Sequence, residues 1–193
     1  MYRNAARSLF SRLLERPLVQ VLLWLRLSPN LTTLLGLGLA GATAYLVGDG
    51  RFIVGGLVLL FSGFFDLLDG MLARATGKET PFGAVFDSVA DRLGEAVVLL
   101  GVLVFYLNPL SRPEVILVYL ALVASLMVSY LRARAEGMGL QASEGIMTRP
   151  ERVVLLALGL FTGWMVAALG IIAGLAFLTA GQRFWGVWRA TKE

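Results

Sequence analysis

The sequence predicts an all-α integral membrane protein: six transmembrane helices preceded by an interfacial amphipathic helix lying on the membrane surface. Three observations carry this prediction. Of 193 residues, 58% are hydrophobic and 16% charged, against about 25% charged in soluble domains, and the mean hydropathy is +0.77. The apolar residues gather into runs of roughly the 20 residues that a helix needs to cross a hydrocarbon core. The 17 lysines and arginines sort almost entirely to one side of those runs.

Ahead of the first run, Leu9, Phe10, Leu13 and Leu14 recur at helical spacing, with Arg7, Ser11, Arg12 and Glu15 between them. That pattern reads as an interfacial helix within residues 2–26; the alternative is a cytosolic helix packed on a loop. Arg3, Arg7, Arg12 and Arg16 interrupt the apolar residues before a signal-peptide core could form. The first span, Leu31 to Gly48, ends at the turn Gly48-Asp49-Gly50, and the second, Phe52 to Ala73, follows at once. A third, Gly83 to Leu107, stops at Asn108-Pro109; a fourth, Pro113 to Leu131, leads into Arg132 and Arg134. The stretch Val153 to Trp188 is too long for one span, and Thr162-Gly163 divides it into two. The six-helix core thus covers residues 31–189 of a single membrane domain, 1–193. With the N-terminus inside, only Arg51 and Arg112 of the 17 basic residues fall outside, which places both termini in the cytoplasm and the protein in a cell (inner) membrane. Arginines that flank apolar segments set topology and meet anionic lipid, so the net charge of +4 implies the bilayer as partner and no nucleic acid.

With no cysteine and no histidine, thiol nucleophiles, imidazole bases and thiolate or imidazole metal sites are excluded. Carboxylates remain. Asp66 and Asp69 lie near the cytoplasmic end of the second span, and Asp87 and Asp91 in the first turns of the third. Spacings of three and four put each pair on one helix face, and a short loop makes the helices antiparallel neighbours. Each carboxylate costs about 2.5–3.5 kcal/mol at mid-membrane, and their repulsion adds to that. A cation must sit among them. Oxygen donors alone suit a hard divalent ion, Mg²⁺ or Mn²⁺, and two ions would balance four carboxylates. Gly70, Ala73 and Gly83 lie four residues from Asp66, Asp69 and Asp87 and leave room beside them; small residues also serve close helix packing. An ion or proton transporter would use buried carboxylates too, but these cluster at one membrane face with no polar path onward.

Asp66-x-x-Asp69-Gly70-x-x-Ala73-Arg74, eight residues, then Gly83-x-x-x-Asp87-x-x-x-Asp91 resembles the signature of the CDP-alcohol phosphatidyltransferase family at all eight fixed positions. The resemblance implies a six-helix enzyme, homodimeric, with its site open to the cytoplasm and the membrane. It further implies Asp66, Asp69 and Asp87 as metal ligands, Asp91 as ligand and catalytic base, and Gly70 and Arg74 as nucleotide contacts. Asp69, Ala73, Thr80 and Gly83, with Pro29, Asn30, Leu31 and Thr32, complete the CDP-lipid positions. Pro29 to Thr32 is equally a helix start with an Asn or Thr cap. In such chemistry the metal neutralises the pyrophosphate of CDP-diacylglycerol while an acceptor hydroxyl displaces CMP.

The acceptor is read from 132–152, where Arg132, Arg134, Arg149 and Arg152 meet the cytoplasmic face. Guanidinium forks suit a phosphate, hence a phosphorylated polyol; positive-inside topology would place arginines there as well. Ser129-Tyr130-Leu131-Arg132-Ala133-Arg134-Ala135-Glu136 and Arg149-Pro150-Glu151-Arg152 resemble stretches of bacterial phosphatidylinositol-phosphate synthases, which implies inositol 1-phosphate as acceptor. Arg132 stands where those enzymes have lysine. Glycerol 3-phosphate, giving phosphatidylglycerophosphate, is the alternative.

Overall fold

The computed structural model describes residues 20, 23–24, 27–77, 79–140, 142 and 145–192. The expected interfacial helix at 2–26, and Arg3, Arg7, Arg12, Arg16, Arg26 and Lys78, lie outside them. Six α-helices follow one another: α1 Pro29–Gly48, α2 Phe52–Thr76, α3 Pro81–Tyr106, α4 Arg112–Glu136, α5 Arg149–Thr162 and α6 Met165–Ala190. No β-strand occurs among the described residues.

Their ends follow from local chemistry. Gly50, at φ +78°, closes the turn between α1 and α2, where Arg51 pairs with Asp49 at 2.7 Å. Ser111 precedes α4, whose second residue is Pro113, a position where a missing N–H costs nothing. Gly163 terminates α5 in the left-handed conformation, φ +75°, which a residue with a Cβ reaches only with strain. That is the break expected at Thr162-Gly163.

Helices α1, α2, α4 and α6 are long and apolar enough to cross a bilayer, and the chain is a multi-pass membrane protein. Helix α3 has the length, 26 residues, but carries Asp87, Asp91, Arg92 and Glu95. Helix α5 has 14 residues, roughly 21 Å at 1.5 Å per residue, short of a hydrocarbon core of about 30 Å. Outward-facing leucines and phenylalanines such as Leu34, Phe61 and Leu67 are half or more exposed on the protein surface, as lipid-facing residues are. At the end of α6 the Trp185 and Trp188 rings lie 4.6 Å apart and Lys192 stands 3.8 Å over Trp188, a pairing suited to the headgroup boundary.

Two compact units divide the chain. The first combines the part up to Leu39 with Phe61–Gly94; its apolar centre is Leu68, Met71 and Leu72, with Leu27 against them, and Ser62 ties α2 to α1 by donating to the Gly36 carbonyl at 2.8 Å. The second combines Ala40–Leu60 with Glu95–Glu193, and its core joins Val47, Leu99, Val102, Leu160 and Leu169, each 2% exposed or less. Within it α1 and α3 touch backbone to backbone: a Cβ on Gly101 would stand 2.4 Å from the Ala44 carbonyl oxygen and 2.5 Å from its Cα. Small residues permit such approaches between membrane helices.

Gly101→Ala should therefore force α1 from α3 and destabilise the protein by about 1–3 kcal/mol, the usual range for overpacking. A thermal unfolding scan in detergent checks this; an unchanged midpoint would contradict the close approach.

Candidate active site

Three helix segments of the first unit build one cavity. At the start of α1, Ser28 is the cap: its Oγ accepts from the Leu31 N–H at 3.3 Å, and its carbonyl accepts from the Thr32 N–H at 3.0 Å. This corrects the expectation of an Asn or Thr cap within Pro29 to Thr32, because the helix begins at Pro29 and the residue before it holds the capping position. Thr80 caps α3 in the same way, accepting from the Gly83 N–H at 2.9 Å, with Pro81 in the first helical position. Between them, the last two turns of α2 present the residues from Asp69 to Arg74.

The resulting cavity, about 410 Å³, is lined by Pro29, Asn30, Thr33, Asp69, Gly70, Ala73, Arg74, Glu79, Thr80, Gly83, Ala84 and Asp87. The glycines there face side chains rather than void: a Cβ on Gly70 would come 3.3 Å from Arg74 Nη1, and one on Gly83 would come 3.0 Å from Thr80 Oγ1 and 3.5 Å from Asn30 Oδ1. Eight of the expected CDP-lipid positions thus share one cavity. Leu31 and Thr32 do not line it. Leu31 is 42% exposed, while Thr32 is fully buried and its hydroxyl donates to the Ser28 carbonyl at 3.0 Å.

Of the four aspartates, Asp69 and Asp87 line the cavity, and Asp66 and Asp87 are charged neighbours of Asp69. Asp69 is 5% exposed, and Thr33 donates to its Oδ2 at 2.8 Å. Asp66 occupies space that Gly36 leaves: a Cβ there would stand 2.7 Å from Asp66 Oδ1. Asp91 is half-buried one turn beyond Asp87. Arg92 donates from its guanidinium to the Ser88 carbonyl of its own helix. No three acidic side chains are gathered to ligating range among the described residues; like charges close on one point only around a cation. The donors are carboxylates throughout and the glycine cradle at position 36 keeps room for one of them, so the residues present fit a hard divalent ion.

The expected acceptor arginines belong to the second unit. Arg132 and Arg134 are exposed on the last turns of α4, where Arg132 Nε pairs with Glu136 at 2.8 Å. Arg149 opens α5. Arg152 is 2% exposed and is held at both ends of its fork by Glu95, Nε to Oε1 at 2.6 Å and Nη2 to Oε2 at 2.7 Å. The segment before α5 is anchored: Thr179 accepts from the Met147 N–H at 3.0 Å, and Thr148 and Glu151 close a capping box. Arg183 of α6 is 4% exposed, donates to the Val128 carbonyl at 2.7 Å, and lies within electrostatic reach of Arg132 and Arg152.

Sequence reasoning missed Thr33, Glu95 and the burial of Arg183. Thr33 lies one residue beyond the stretch singled out at Pro29 to Thr32. Glu95 continues the face of Asp87 and Asp91 at four-residue spacing, a signal available in the sequence. Nothing local distinguishes Arg183 from the arginines that merely set topology.

Comparison with known proteins agrees with the motif. The CDP-alcohol phosphatidyltransferase family profile matches residues 26–185. The phosphatidylinositol phosphate synthase of Mycobacterium marinum is 35% identical over 195 residues, covering 95% of this chain and 82% of that protein. The crystal structure of the Mycobacterium tuberculosis phosphatidylinositol phosphate synthase with CDP-DAG bound superposes with a TM-score of 0.83 at 33% identity, covering 91% of this chain and 94% of that one. The same enzyme in complex with manganese and citrate gives 0.82 at 32% identity, covering 91% and 89%. The profile spans most of the chain, the identity extends over nearly its whole length and the helices superpose on an enzyme of the same class: this protein belongs to the CDP-alcohol phosphatidyltransferase family and is an enzyme of that class.

Proposed function

We propose that this enzyme transfers the phosphatidyl group of CDP-diacylglycerol to inositol 1-phosphate, giving phosphatidylinositol phosphate and CMP. The observation that carries the donor half is the cavity in which Pro29, Asn30, Gly70, Ala73, Arg74, Thr80 and Gly83 stand with Asp69 and Asp87. A solved relative binding CDP-DAG supports the same donor, and the relatives' shared name supports inositol phosphate as acceptor.

Asp66, Asp69, Asp87 and Asp91 would hold Mg²⁺ or Mn²⁺, with two ions matching four carboxylates; the manganese-bound relative supports a divalent metal. When bound, the metal supplies positive charge to the pyrophosphate and to the oxygen of the departing CMP. Arg74 contacts the same phosphates, and Gly70, Ala73 and Gly83 let the nucleotide approach the helix backbone. Asp91 accepts the proton of the acceptor hydroxyl as that oxygen bonds to the β-phosphorus; the bond from the β-phosphorus to the bridging oxygen breaks, and CMP leaves with its electron pair. Without cysteine or histidine, direct displacement is simpler than a covalent enzyme intermediate.

Arg132, Arg134, Arg149 and Arg152 bind the acceptor's phosphate in this reading. Arg183 lies within electrostatic reach of both Arg132 and Arg152, a gathering of positive charge that suits an anionic acceptor. Arg152 is already balanced by Glu95 and Arg132 is paired with Glu136, so an incoming phosphate competes with those carboxylates for the two guanidinium groups. The chain acts as one domain with six spans, α3 and α5 included, and an interfacial helix over 2–26. It sits in the cell membrane with both termini cytoplasmic, as the arginine distribution supports, and forms a homodimer.

Four outcomes follow. Purified protein should release CMP from CDP-diacylglycerol only with a divalent metal and with inositol 1-phosphate. Turnover with glycerol 3-phosphate instead would keep the donor site and overturn the acceptor, and turnover of Asp91→Asn at the wild-type rate would overturn the base, whose loss should lower kcat by about 10²–10⁴-fold. Arg132→Ala and Arg134→Ala should each raise the acceptor KM by roughly 10-fold or more, the loss of one charge-assisted hydrogen bond, with the KM for CDP-diacylglycerol unchanged. Arg152→Ala should also cost about 3–5 kcal/mol of stability, since Glu95 is left buried without its counter-charge; thermal unfolding of this variant against Arg134→Ala separates the two roles.

A further inference from the structure

Thr33 sits on α1 at 3% exposure, 36 positions from the aspartate it touches. Its hydroxyl oxygen is 2.8 Å from Asp69 Oδ2 and 3.0 Å from the Pro29 carbonyl oxygen one turn back. A hydroxyl has one proton to give. Between a carboxylate and a neutral carbonyl, the charged acceptor makes the stronger bond, so the proton goes to Asp69. The β-branched side chain is stiff about χ1 in a helix, and the capped first turn of α1 fixes the backbone that carries it. Both groups are buried and line the same cavity.

We propose that Thr33 is the positioning residue for Asp69: by holding one carboxylate oxygen from α1, it fixes the orientation in which Asp69 meets the divalent ion. This rests on the reading of Asp69 as a metal ligand. The hydrogen bond removes one of the carboxylate's rotational freedoms before the ion arrives, so that ordering does not have to be supplied by metal binding. Groups that orient metal ligands in this way typically change metal affinity by about 10–100-fold when removed.

The test is Mn²⁺ affinity of the purified full chain in detergent, followed by the electron paramagnetic resonance signal of free Mn²⁺ during titration, without substrate. Thr33→Val, which keeps the shape and loses the hydroxyl, should weaken Mn²⁺ binding by about 10–100-fold, and Thr33→Ser should bind as wild type does. Should Thr33→Val fail to fold, Thr33→Ala and Thr33→Ser carry the comparison, since they differ only in the hydroxyl. Equal Mn²⁺ affinity with and without the hydroxyl overturns the positioning role. Asp69→Asn separates the two failures: if it loses Mn²⁺ while Thr33→Val keeps it, only the role of Thr33 falls, whereas wild-type affinity in Asp69→Asn overturns the ligand assignment beneath it.

Discussion

A carboxylate 5% exposed on a helix apolar enough to cross a bilayer is the constraint on which the first unit depends. Asp69 cannot be solvated by lipid, and a buried charge without partners is driven to neutralise. Every nearby feature answers that need. Thr33 supplies a donor, Gly36 yields the volume that the Asp66 carboxylate occupies, and Gly70, Ala73 and Gly83 line the cavity beside it. The caps at Ser28 and Thr80 set where α1 and α3 begin, and so decide which side chains face the acid. A bilayer enzyme without histidine has few other ways to gather charge, and the oxygen-only donor set follows from that economy.

The second unit solves the opposite problem. Its buried charges are arginines, and each is met differently: Arg152 by the two oxygens of Glu95, Arg183 by a backbone carbonyl that α4 leaves exposed to it. Thr179 fixes the segment that leads into α5. It accepts from the Met147 backbone, and Gly145, at φ +145°, passes so close that a Cβ would stand 2.3 Å from the Thr179 methyl. The start of α5, with its arginines, is thereby tied to α6 rather than left as a free loop.

The pattern of apolar runs, interrupted by Gly, Pro and charge, determined the helices and most of their ends. Leu31 to Gly48 and Phe52 to Ala73 became Pro29–Gly48 and Phe52–Thr76, and Thr162-Gly163 proved to be the break. Those limits were legible because they depend on chemistry between neighbours in sequence: a lipid core that demands length, and glycines that permit backbone turns. Six of the eight motif positions, Asp69, Gly70, Ala73, Arg74, Gly83 and Asp87, line the cavity, and three- and four-residue spacing sets their helix faces without any knowledge of packing. Tertiary structure alone decided the rest. It paired Thr33 with Asp69 across 36 residues and Arg152 with Glu95 across 57, it gave the cap of α1 to Ser28, and it turned Thr32 inward while Pro29 and Asn30 faced the cavity. Hydrogen-bond partners and burial are set by which helices lie side by side, and a one-dimensional pattern carries that information only for residues within a turn or two of one another.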